Sequence, residues 1–447
     1  MVTEIVKREN SYRRAFLELQ EQSEDKQLAW LERLRAAAME QFEASGFPSV
    51  KDEEWKYTNV AAIAAVDFQP ASLQTNTEDE VDPQALTPHQ HAETAKSQLV
   101  FINGKLRQDL SDLTAIPEGV VALDLSAAIA DERYREIVWK HLAQQADYVV
   151  NGFTALNTAL ISHGAFVYIP KDAIVSVPLN LLFISDGAPI ASFPRVLVVA
   201  EENSSATLIE SYASTKDSKY FTNAVVEIVL KDGARLEHYK LQRESAAAFH
   251  IATTAADLGR NSSYDATTIT FGAQLSRHDL NVTMDQEGAE CWVDGLYLVN
   301  GSQHTDTHSV IDHRKPHCTS HQLYKGILDG KSRAVFNGKI FVRHDAQKTD
   351  AMQTNKNLLL SNEARVDTKP QLEILADDVK CAHGAAVGQL DEDELFYLEA
   401  RGIHPDLARN LLTYGFAEEV IAKIKVESIR LQLDEAVLHR LNARLEA

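Results

Sequence analysis

The chain has 447 residues, 45% of them apolar, so its length and composition suit about two or three folding units with a sizeable core. It carries 65 acidic side chains against 44 Lys and Arg, which gives a formal net charge of -21 at pH 7. Such a charge argues against binding to nucleic acid or to an anionic membrane, because both present phosphate groups.

The sequence also bears on the cellular compartment. No apolar stretch approaches the roughly 20 residues that a membrane-spanning helix needs. The first residues are too densely charged for a secretory signal. The three cysteines, Cys291, Cys318 and Cys381, are too few for a disulfide framework and suit a reducing environment. We therefore expect a cytoplasmic protein without a membrane anchor.

The first 68 residues have a helical pattern. Apolar side chains recur at steps of three and four from Leu31 to Phe42, which places them on one face of a helix. Gly46 follows and is expected to end that helix. We predict an α-helical N-terminal domain over residues 1–68.

A polar segment comes next. Residues 69–97 contain three prolines and few apolar side chains, which predicts a loosely held linker. Residues 100–102 are apolar and precede Asn103-Gly104, a pair typical of a strand that enters a tight turn.

Residues 98–388 are predicted to form the main β core. A short helical stretch is expected between about Asp131 and Asp147. From about Ala165 to Gly388, short β-branched runs alternate with polar turns, and little there has the pattern of a long helix. A loose module, a polar turn followed by a small residue and alternating side chains, recurs at residues 202–209, 231–236, 285–289 and 362–366. Repetition of this kind predicts a β-solenoid. A pair of β-sandwiches is the alternative.

The last part, residues 389–447, is predicted to be a helical C-terminal domain. Asp391 and Glu394 form the pattern of a capping box at a helix start. Pro405 marks the start of a second helix, which Gly415 is expected to interrupt. The final helix is predicted from the spacing of Leu438, Leu441 and Leu445.

One short stretch imitates a phosphate-binding loop. Residues 326–332 read GILDGKS, one residue short between the glycines, and they lie in the strand-rich region. We interpret them as a hairpin turn. The chain should therefore not hydrolyse ATP on its own.

A histidine-rich run extends from His304 to His321. Alternate residues of a strand share a face, so His304, Asp306 and His308 could line up and bind zinc or iron. A closed site would need further ligands from a neighbouring strand, which the sequence does not identify. The alternative is a set of solvated or interfacial histidines.

Cys381 and His383 form a third candidate. On a strand they would point the same way and offer a thiolate and an imidazole, a pair suited to iron or iron–sulfur species. Two ligands cannot hold a cluster, so a partner would have to supply the others. A nucleophilic Cys–His pair or a buried structural cysteine are the alternatives.

Five segments resemble a known family when they are taken as an ordered set. They are residues 53–58 (EEWKYT), 333–338 (RAVFNG), 367–374 (DTKPQLEI), 376–384 (ADDVKCAHG) and 395–398 (LFYL). Together they resemble the SufD branch of the SufB/SufD family of iron–sulfur cluster assembly proteins. Gly384, directly after the Cys-x-His pattern, is similar to that branch, whereas SufB sequences usually carry an acidic residue there.

The resemblance implies both a fold and a set of partners. The fold is a right-handed parallel β-helix flanked by α-helical N- and C-terminal domains. The chain would be a non-catalytic scaffold that pairs with a SufB-like subunit through the β-helix edge and binds a SufC-like ATPase through its C-terminal helices. His383 and Cys381 would lie at the cluster-assembly interface, where a transient iron–sulfur cluster forms. The isolated chain would hold no stable cofactor or metal and could form a homodimer.

Two further sets of residues are assigned roles. For the ATPase contact we expect Arg401, Leu411, Tyr414 and Phe416, since binding of a helix in a groove uses apolar anchors at such spacing. The alternative is that they pack within the helical domain. Trp55 and Tyr57 are expected to pack the N-terminal domain on the solenoid.

Two rival functions remain open at this point. A β-helix carbohydrate enzyme would need two carboxylates about 5 to 10 Å apart in a cleft, and the sequence does not pair its acids. A stand-alone metal-binding protein would use the His304 to His321 region. A flat strand edge would favour the scaffold, and an acidic cleft would favour the enzyme.

Overall fold

The structure is a computed structural model that describes residues 2–22, 28–71, 81–187 and 189–441. Leu445 of the predicted last helix and residues 72–80 of the predicted linker lie outside the described residues. The α-helices are α1 (Val2–Gln22), α2 (Ala29–Ser45), α3 (Ala61–Ala64), α4 (Leu125–Ala130), α5 (Arg135–His141), α6 (Gly152–Ala159), α7 (Glu392–Glu399), α8 (Pro405–Ile421) and α9 (Glu427–Arg440).

The strands occupy most of the chain between the terminal helices. The short early strands are β1 (Gln69–Pro70), β2 (Gln98–Ile102), β3 (Lys105–Leu106), β4 (Val121–Asp124), β5 (Gly164–Ile169), β6 (Leu179–Ile184), β7 (Ile190–Ser192) and β8 (Arg195–Ala200). The longer ones that follow are β9 (Ser205–Ala213), β10 (Phe221–Leu230), β11 (Arg235–Arg243), β12 (Phe249–Leu258), β13 (Ser263–Thr270), β14 (Leu275–Met284), β15 (Glu290–Val299), β16 (His304–His313), β17 (Thr319–Leu328), β18 (Arg333–Val342), β19 (Asp350–Leu359), β20 (Arg365–Ile374) and β21 (Lys380–Gly388).

These strands form a parallel β-solenoid of about eight turns. Even-numbered strands from β8 to β20 form one sheet, called sheet A here, and odd-numbered strands from β9 to β21 form a second sheet, sheet B. Each strand pairs in parallel with the strand two positions later, as β10 does with β12 from Phe221↔Phe249 to Leu230↔Leu258. The predicted mainly β fold with helical ends is confirmed, and this pairing excludes the two β-sandwiches.

The solenoid interior is filled by alternate side chains of each strand. Many of these side chains are apolar and buried, such as Val198, Val226 and Leu280. Further along, glycines make room for tyrosines: a Cβ at Gly295 would lie 2.1 Å from Tyr324 Cε1. Such alternation of large and small interior residues keeps the lumen closely packed.

A cluster of ionisable side chains is buried in the middle of the solenoid. Lys240 Nζ lies 2.9 Å from His250 Nε2 and 3.7 Å from Glu210. His238 is 3.4 Å from Glu210, and His250 is 2.8 Å from Glu244. Burial lowers the pKa of Lys240, although the two carboxylates oppose that shift. These charges compensate one another, which is what allows them to be buried.

The recurring module matches the corners of the solenoid only in part. The turns after β8, β10 and β14 lead from sheet A to sheet B, whereas residues 362–366 follow β19 and lead back to sheet A. Residues 326–332 include the end of β17 and the turn that leads to β18, and these two strands lie in different sheets and do not pair. The predicted hairpin there is therefore wrong, and the segment is a solenoid corner. Asn103-Gly104 does form a hairpin, between β2 and β3.

The predicted linker is packed where it is described. Residues 83–89 and 92–94 form 3-10 helices, and the side chains of Val81 and Leu86 are buried against Val100 and Leu182 of sheet B. The expectation of a loosely held segment over 69–97 is wrong for residues 81–97. Few apolar residues are needed here, because the sheet supplies most of the apolar surface.

The terminal helices lie on the outer faces of the solenoid. In the N-terminal domain α2 packs against α6, and Arg35 donates to the carbonyl of Ile161 at 2.5 Å. In the C-terminal domain α8 and α9 cover sheet B with Ile421 and Ile429. Asp391 caps α7 as predicted. Gly415 lies inside α8, so the predicted interruption is wrong.

Candidate functional site

Among the described residues, the solenoid ends in two strands that are each paired on one side only. β20 is the last strand of sheet A and β21 is the last strand of sheet B. The N–H of Lys380 donates to Thr349 at 2.8 Å. Because backbone groups alternate in direction along a strand, the N–H groups of Cys381, His383 and Ala385 face the free edge. This end of the solenoid offers unpaired donors and acceptors for another strand.

β20 also has the character of an edge strand. The N–H of Arg365 donates to the carbonyl of Ser332, in the turn before β18, so N–H groups at odd-numbered positions of β20 face β18. The ring nitrogen of Pro370 therefore faces the opposite, unpaired side of β20. Proline is tolerated there because no ladder hydrogen bond is lost.

Cys381 and His383 both belong to the last layer of the solenoid interior. Cys381 is in register with Ala351, and His383 is in register with Gln353, whose side chain is 1% exposed. No later strand covers them, so Cys381 is half-buried and His383 is exposed. The predicted common face is therefore present, at the uncovered end of the solenoid interior.

The thiol is protonated at neutral pH in the isolated chain. Burial and the charge of Asp350 raise the pKa of Cys381 above its usual value. A cation or metal brought by a partner would favour the thiolate, which is the form that binds metals.

A polar network lies directly beneath these two residues. Gln353 donates to Gln322 at 2.6 Å, and Gln322 donates to Ser309 at 2.7 Å. Thr368 donates to Asn355 at 2.8 Å in the same interior. The floor of the site is therefore polar and hydrogen-bonded.

The described residues contain no group of three or more His, Cys, Asp or Glu side chains that could hold a metal ion. The pair of Cys381 and His383 fits a thiolate- and imidazole-binding species but is too small to enclose one.

The residues expected to contact an ATPase occupy different positions. Tyr414 and Phe416 are partly buried: Tyr414 donates to Asp434 at 3.1 Å, and Lys325 Nζ lies 4.1 Å from the ring centroid of Phe416. Leu411 is 36% exposed, and Arg401 lies on the surface over Tyr397. The first pair packs against the solenoid and its helices, whereas Leu411 and Arg401 are accessible.

The most exposed apolar side chains of the C-terminal domain are not among the four residues expected at the ATPase contact. Phe396 and Tyr397 of α7 are 71% and 58% exposed. The signal in the sequence is the run of four apolar residues at 395–398, since a helix cannot bury four consecutive side chains on one face.

The histidine-rich strand contacts the N-terminal domain. Thr58 Oγ1 lies 2.9 Å from His304 Nε2 and donates to Asp306 at 2.6 Å. Asp306 is also 2.9 Å from Arg277 and 3.1 Å from His308. The predicted alignment of His304, Asp306 and His308 is present, but it forms an interface between domains.

The charges at this interface shift two pKa values in opposite directions. Burial alone would lower the pKa of His308, but the charge of Asp306 and hydrogen bonds to Asp306 and Glu54 raise it to about 9. Arg277 and His308 together lower the pKa of Asp306 despite its burial. The interface therefore contains a charged imidazolium at neutral pH.

Trp55 and Tyr57 lie where the N-terminal motif meets sheet A. Trp55 is 6% exposed and contacts Phe153 and Arg277, which confirms its predicted packing. Tyr57 is 36% exposed, with Arg333 above its ring.

Within the described ranges, no helix is long and apolar enough to cross a membrane.

Two protein-family models match nearly the whole chain between them. Residues 183–416 match the SufBD core domain of the SUF system for FeS cluster assembly. Residues 6–181 match the SufBD protein N-terminal region. The first match includes β20, β21 and most of α8.

Several curated proteins are similar over most of their length. An iron–sulfur cluster assembly SufBD family protein of Synechocystis is 38% identical over 87% of this chain and 86% of its own. The iron–sulfur cluster assembly protein SufD of Escherichia coli is 31% identical over 91% of both chains. SufD of Bacillus subtilis is 29% identical over 91% of this chain and 92% of its own. The chain belongs to the SufBD family of iron–sulfur cluster assembly proteins.

Proposed function

We propose that this chain is a SufD-like, non-catalytic scaffold subunit that works in the cytoplasm. It pairs with a SufB-like subunit through the open end of the solenoid and binds a SufC-like ATPase through its C-terminal helices. The observation that carries the proposal is the free edge of β20 and β21, with Cys381 and His383 on the last interior layer.

Strand pairing accounts for the features of that edge. Two unpaired strands side by side can extend both sheets into a second solenoid, and each backbone hydrogen bond then replaces one made to water. Val387, 47% exposed on the last interior layer, would be covered by the same contact. In the absence of the SufB-like subunit, two copies of this chain could use the same edge to form a homodimer.

The chemistry of the site supports transient cluster assembly. Cys381 and His383 offer two ligands at the contact between the two solenoids, which is called the seam below, and the SufB-like chain would supply the others. Because neither chain alone encloses the cluster, the cluster can be released when the seam changes. The cluster is the cargo of the complex, and no cofactor stays with the isolated chain.

The C-terminal helices supply a mechanical link for the ATPase. Lys325 of β17 pairs with Glu419 of α8, and Lys423 lies 2.8 Å from Asp294 of β15. A force on the exposed surface of α7 and α8 would therefore reach β17 and β15, which lie two and three strands of sheet B before the edge strand β21. ATP-driven approach of two ATPases would shift the population of seam conformations in this way.

Co-purification tests both contacts separately. The tagged chain is expressed with the SufB-like and SufC-like proteins of its own organism, and all three are expected to elute together. Ala385→Pro removes one N–H from the free edge and should release the SufB-like chain while keeping the ATPase. Phe396→Ala should have the opposite effect. Val150→Ala is the control and should retain both partners, because Val150 is 83% exposed and lies outside β20, β21 and the C-terminal helices.

Thiol crosslinking tests the coupling. A short reagent that joins Cys381 to a cysteine of the SufB-like chain should give a yield that changes when ATP is added. An unchanged yield, or elution of this chain without either partner, would contradict the proposal.

A further inference from the structure

A column of polar side chains runs along the solenoid interior up to the open end. Gln322 of β17, Gln353 of β19 and His383 of β21 are in direct register on successive strands of sheet B. Neighbouring strands of a sheet lie about 4.8 Å apart, so in-register side chains on the same face stack on one another. These three residues are called the polar column below, and His383 is its last member.

The hydrogen bonds of the polar column run in one direction. Gln353 Nε2 donates to Gln322 Oε1 at 2.6 Å, and Gln322 Nε2 donates to Ser309 Oγ at 2.7 Å. Sheet A confines the amide of Gln353 from the other side, because a Cβ at Gly338 would collide with its nitrogen. The amide nitrogen of Gln353 is therefore used within the column, and the amide oxygen is left for another donor.

That oxygen is buried without a donor. Gln353 is 1% exposed, and its Oε1 has no hydrogen-bond partner within the described residues. A buried acceptor without a donor destabilises the folded chain and is uncommon. The next member of the polar column is His383, whose imidazole can donate an N–H, whereas Cys381 is in register with Ala351.

We propose that Gln353 is a positioning residue for His383, and that its Oε1 accepts a hydrogen bond from one ring N–H of that histidine. A neutral imidazole has one N–H and one lone pair, on different nitrogens. When Gln353 binds the N–H, the lone pair of the other nitrogen is left to bind iron at the seam. Histidines that bind metals generally donate their second ring N–H to such an acceptor, which fixes the tautomer and the orientation of the ring.

The role in iron binding rests on the proposed function, whereas the hydrogen bond can be measured in the isolated full chain. Nuclear magnetic resonance of protein with ¹⁵N-labelled histidine detects ring N–H groups that exchange slowly with water because they are hydrogen-bonded. Wild type should show such a signal for His383, assigned by its loss in His383→Gln. Gln353→Met, which has a similar shape but no acceptor, should lose the signal.

Two further variants separate the hydrogen bond from a structural effect. Gln353→Glu keeps an acceptor, and Gln322 can then donate to it if Ser309 donates to Gln322. A carboxylate is the stronger acceptor, so the ring N–H resonance should persist and move downfield. The matched control is Thr368→Val: it removes the bond from Thr368 to Asn355 in the same interior and should leave the His383 signal unchanged.

The second measurement is iron binding by the complex with the SufB-like and SufC-like proteins, supplied with ferrous iron and sulfide. Gln353→Met should keep both partners, because the backbone edge is unaltered. Its half-saturating iron concentration should rise about tenfold, as is typical when the hydrogen-bond partner of a metal ligand is lost. Gln353→Glu should bind iron nearly as well as wild type.

The outcomes distinguish this role from the proposed function. A wild-type chain without the slowly exchanging N–H, a Gln353→Met chain that keeps it, or a resonance that does not move in Gln353→Glu would overturn the positioning role, and pairing with the SufB-like chain would be unaffected. An intact Gln353→Met complex that binds iron like wild type would also overturn it. A wild-type chain that shows the hydrogen bond but does not pair would contradict the proposed function alone.

Discussion

Arg277 stacks its guanidinium on the indole ring of Trp55, 3.7 Å from the ring centroid. The same guanidinium donates to Asp279 at 2.8 Å and to Asp306 at 2.9 Å. It also donates to the backbone carbonyl of Glu54 at 2.6 Å. One buried side chain of sheet A thus holds the N-terminal motif and two carboxylates.

Arg277→Met should lower the free energy of unfolding by about 3–5 kcal/mol, since removal of one partner leaves buried carboxylates uncompensated. Urea denaturation measures the change. The control is Arg133→Met, because Arg133 pairs with Asp131 at a side chain that is 75% exposed. An exposed pair contributes little to stability, so that variant should be close to wild type. Equal effects of the two changes would contradict the role of Arg277.

His308 should make this interface sensitive to alkaline pH. Its folded-state pKa, about 9, lies above the ordinary value of 6.5. Protonation therefore stabilises the folded state fully below about pH 6.5, and this contribution is lost as pH rises through 9. The loss amounts to roughly 3 kcal/mol at most.

The measurement for His308 is the free energy of unfolding between pH 6 and pH 10 in wild type and in His308→Gln. The difference between the two proteins should shrink as pH rises. His344→Gln, at a side chain that is 84% exposed, is the control and should leave the pH profile unchanged. A constant difference between wild type and His308→Gln would show that folding does not shift the pKa of His308.

The sequence predicts the local parts of this arrangement well. The alternation of a strand is enough to place Cys381 and His383 on one face, and helix caps such as Asp391 follow from residue type. The contact of Trp55 with Arg277 could not be predicted in this way, because it depends on which solenoid turn lies under the N-terminal motif. That register is fixed by the lengths of many corners, and those lengths vary along the chain.

The contacts of the C-terminal helices are also only partly predictable from the sequence. Periodicity identifies Tyr414 and Phe416 as apolar anchors, but it does not say whether their contact is sheet B or another protein. Lys325, which lies over Phe416, comes from a strand that the helical pattern does not include. The buried cluster around Lys240 is hidden for the same reason, since its charges are compensated by residues of other turns.

Cys381 should be the thiol that alkylating reagents modify in the native chain. Cys291 and Cys318 are both 0% exposed, whereas Cys381 is half-buried at the open end. Because its pKa is raised, its reaction with iodoacetamide near pH 7 should be slower than that of an unperturbed thiol and should accelerate as pH rises. Mass spectrometry after timed labelling measures the rate at each cysteine.

The Cys381→Ser variant should lose the label of the native chain, and complex formation with the SufB-like chain should protect Cys381 in wild type. Labelling that is unaffected by the partner would place the seam elsewhere on the solenoid.

Two glycines of sheet B should respond differently to alanine. A Cβ at Gly295 would lie 2.1 Å from Tyr324 Cε1, inside a packed interior, whereas a Cβ at Gly384 would meet nothing within 4 Å. Gly295→Ala should therefore lower the free energy of unfolding by about 1–3 kcal/mol or more, as overpacked cores do. Gly384→Ala should be neutral or slightly stabilising, because it reduces the freedom of the unfolded chain. Urea denaturation of both variants compares the two sites, and a large loss for Gly384→Ala would mean that the last strand is already covered in the isolated chain.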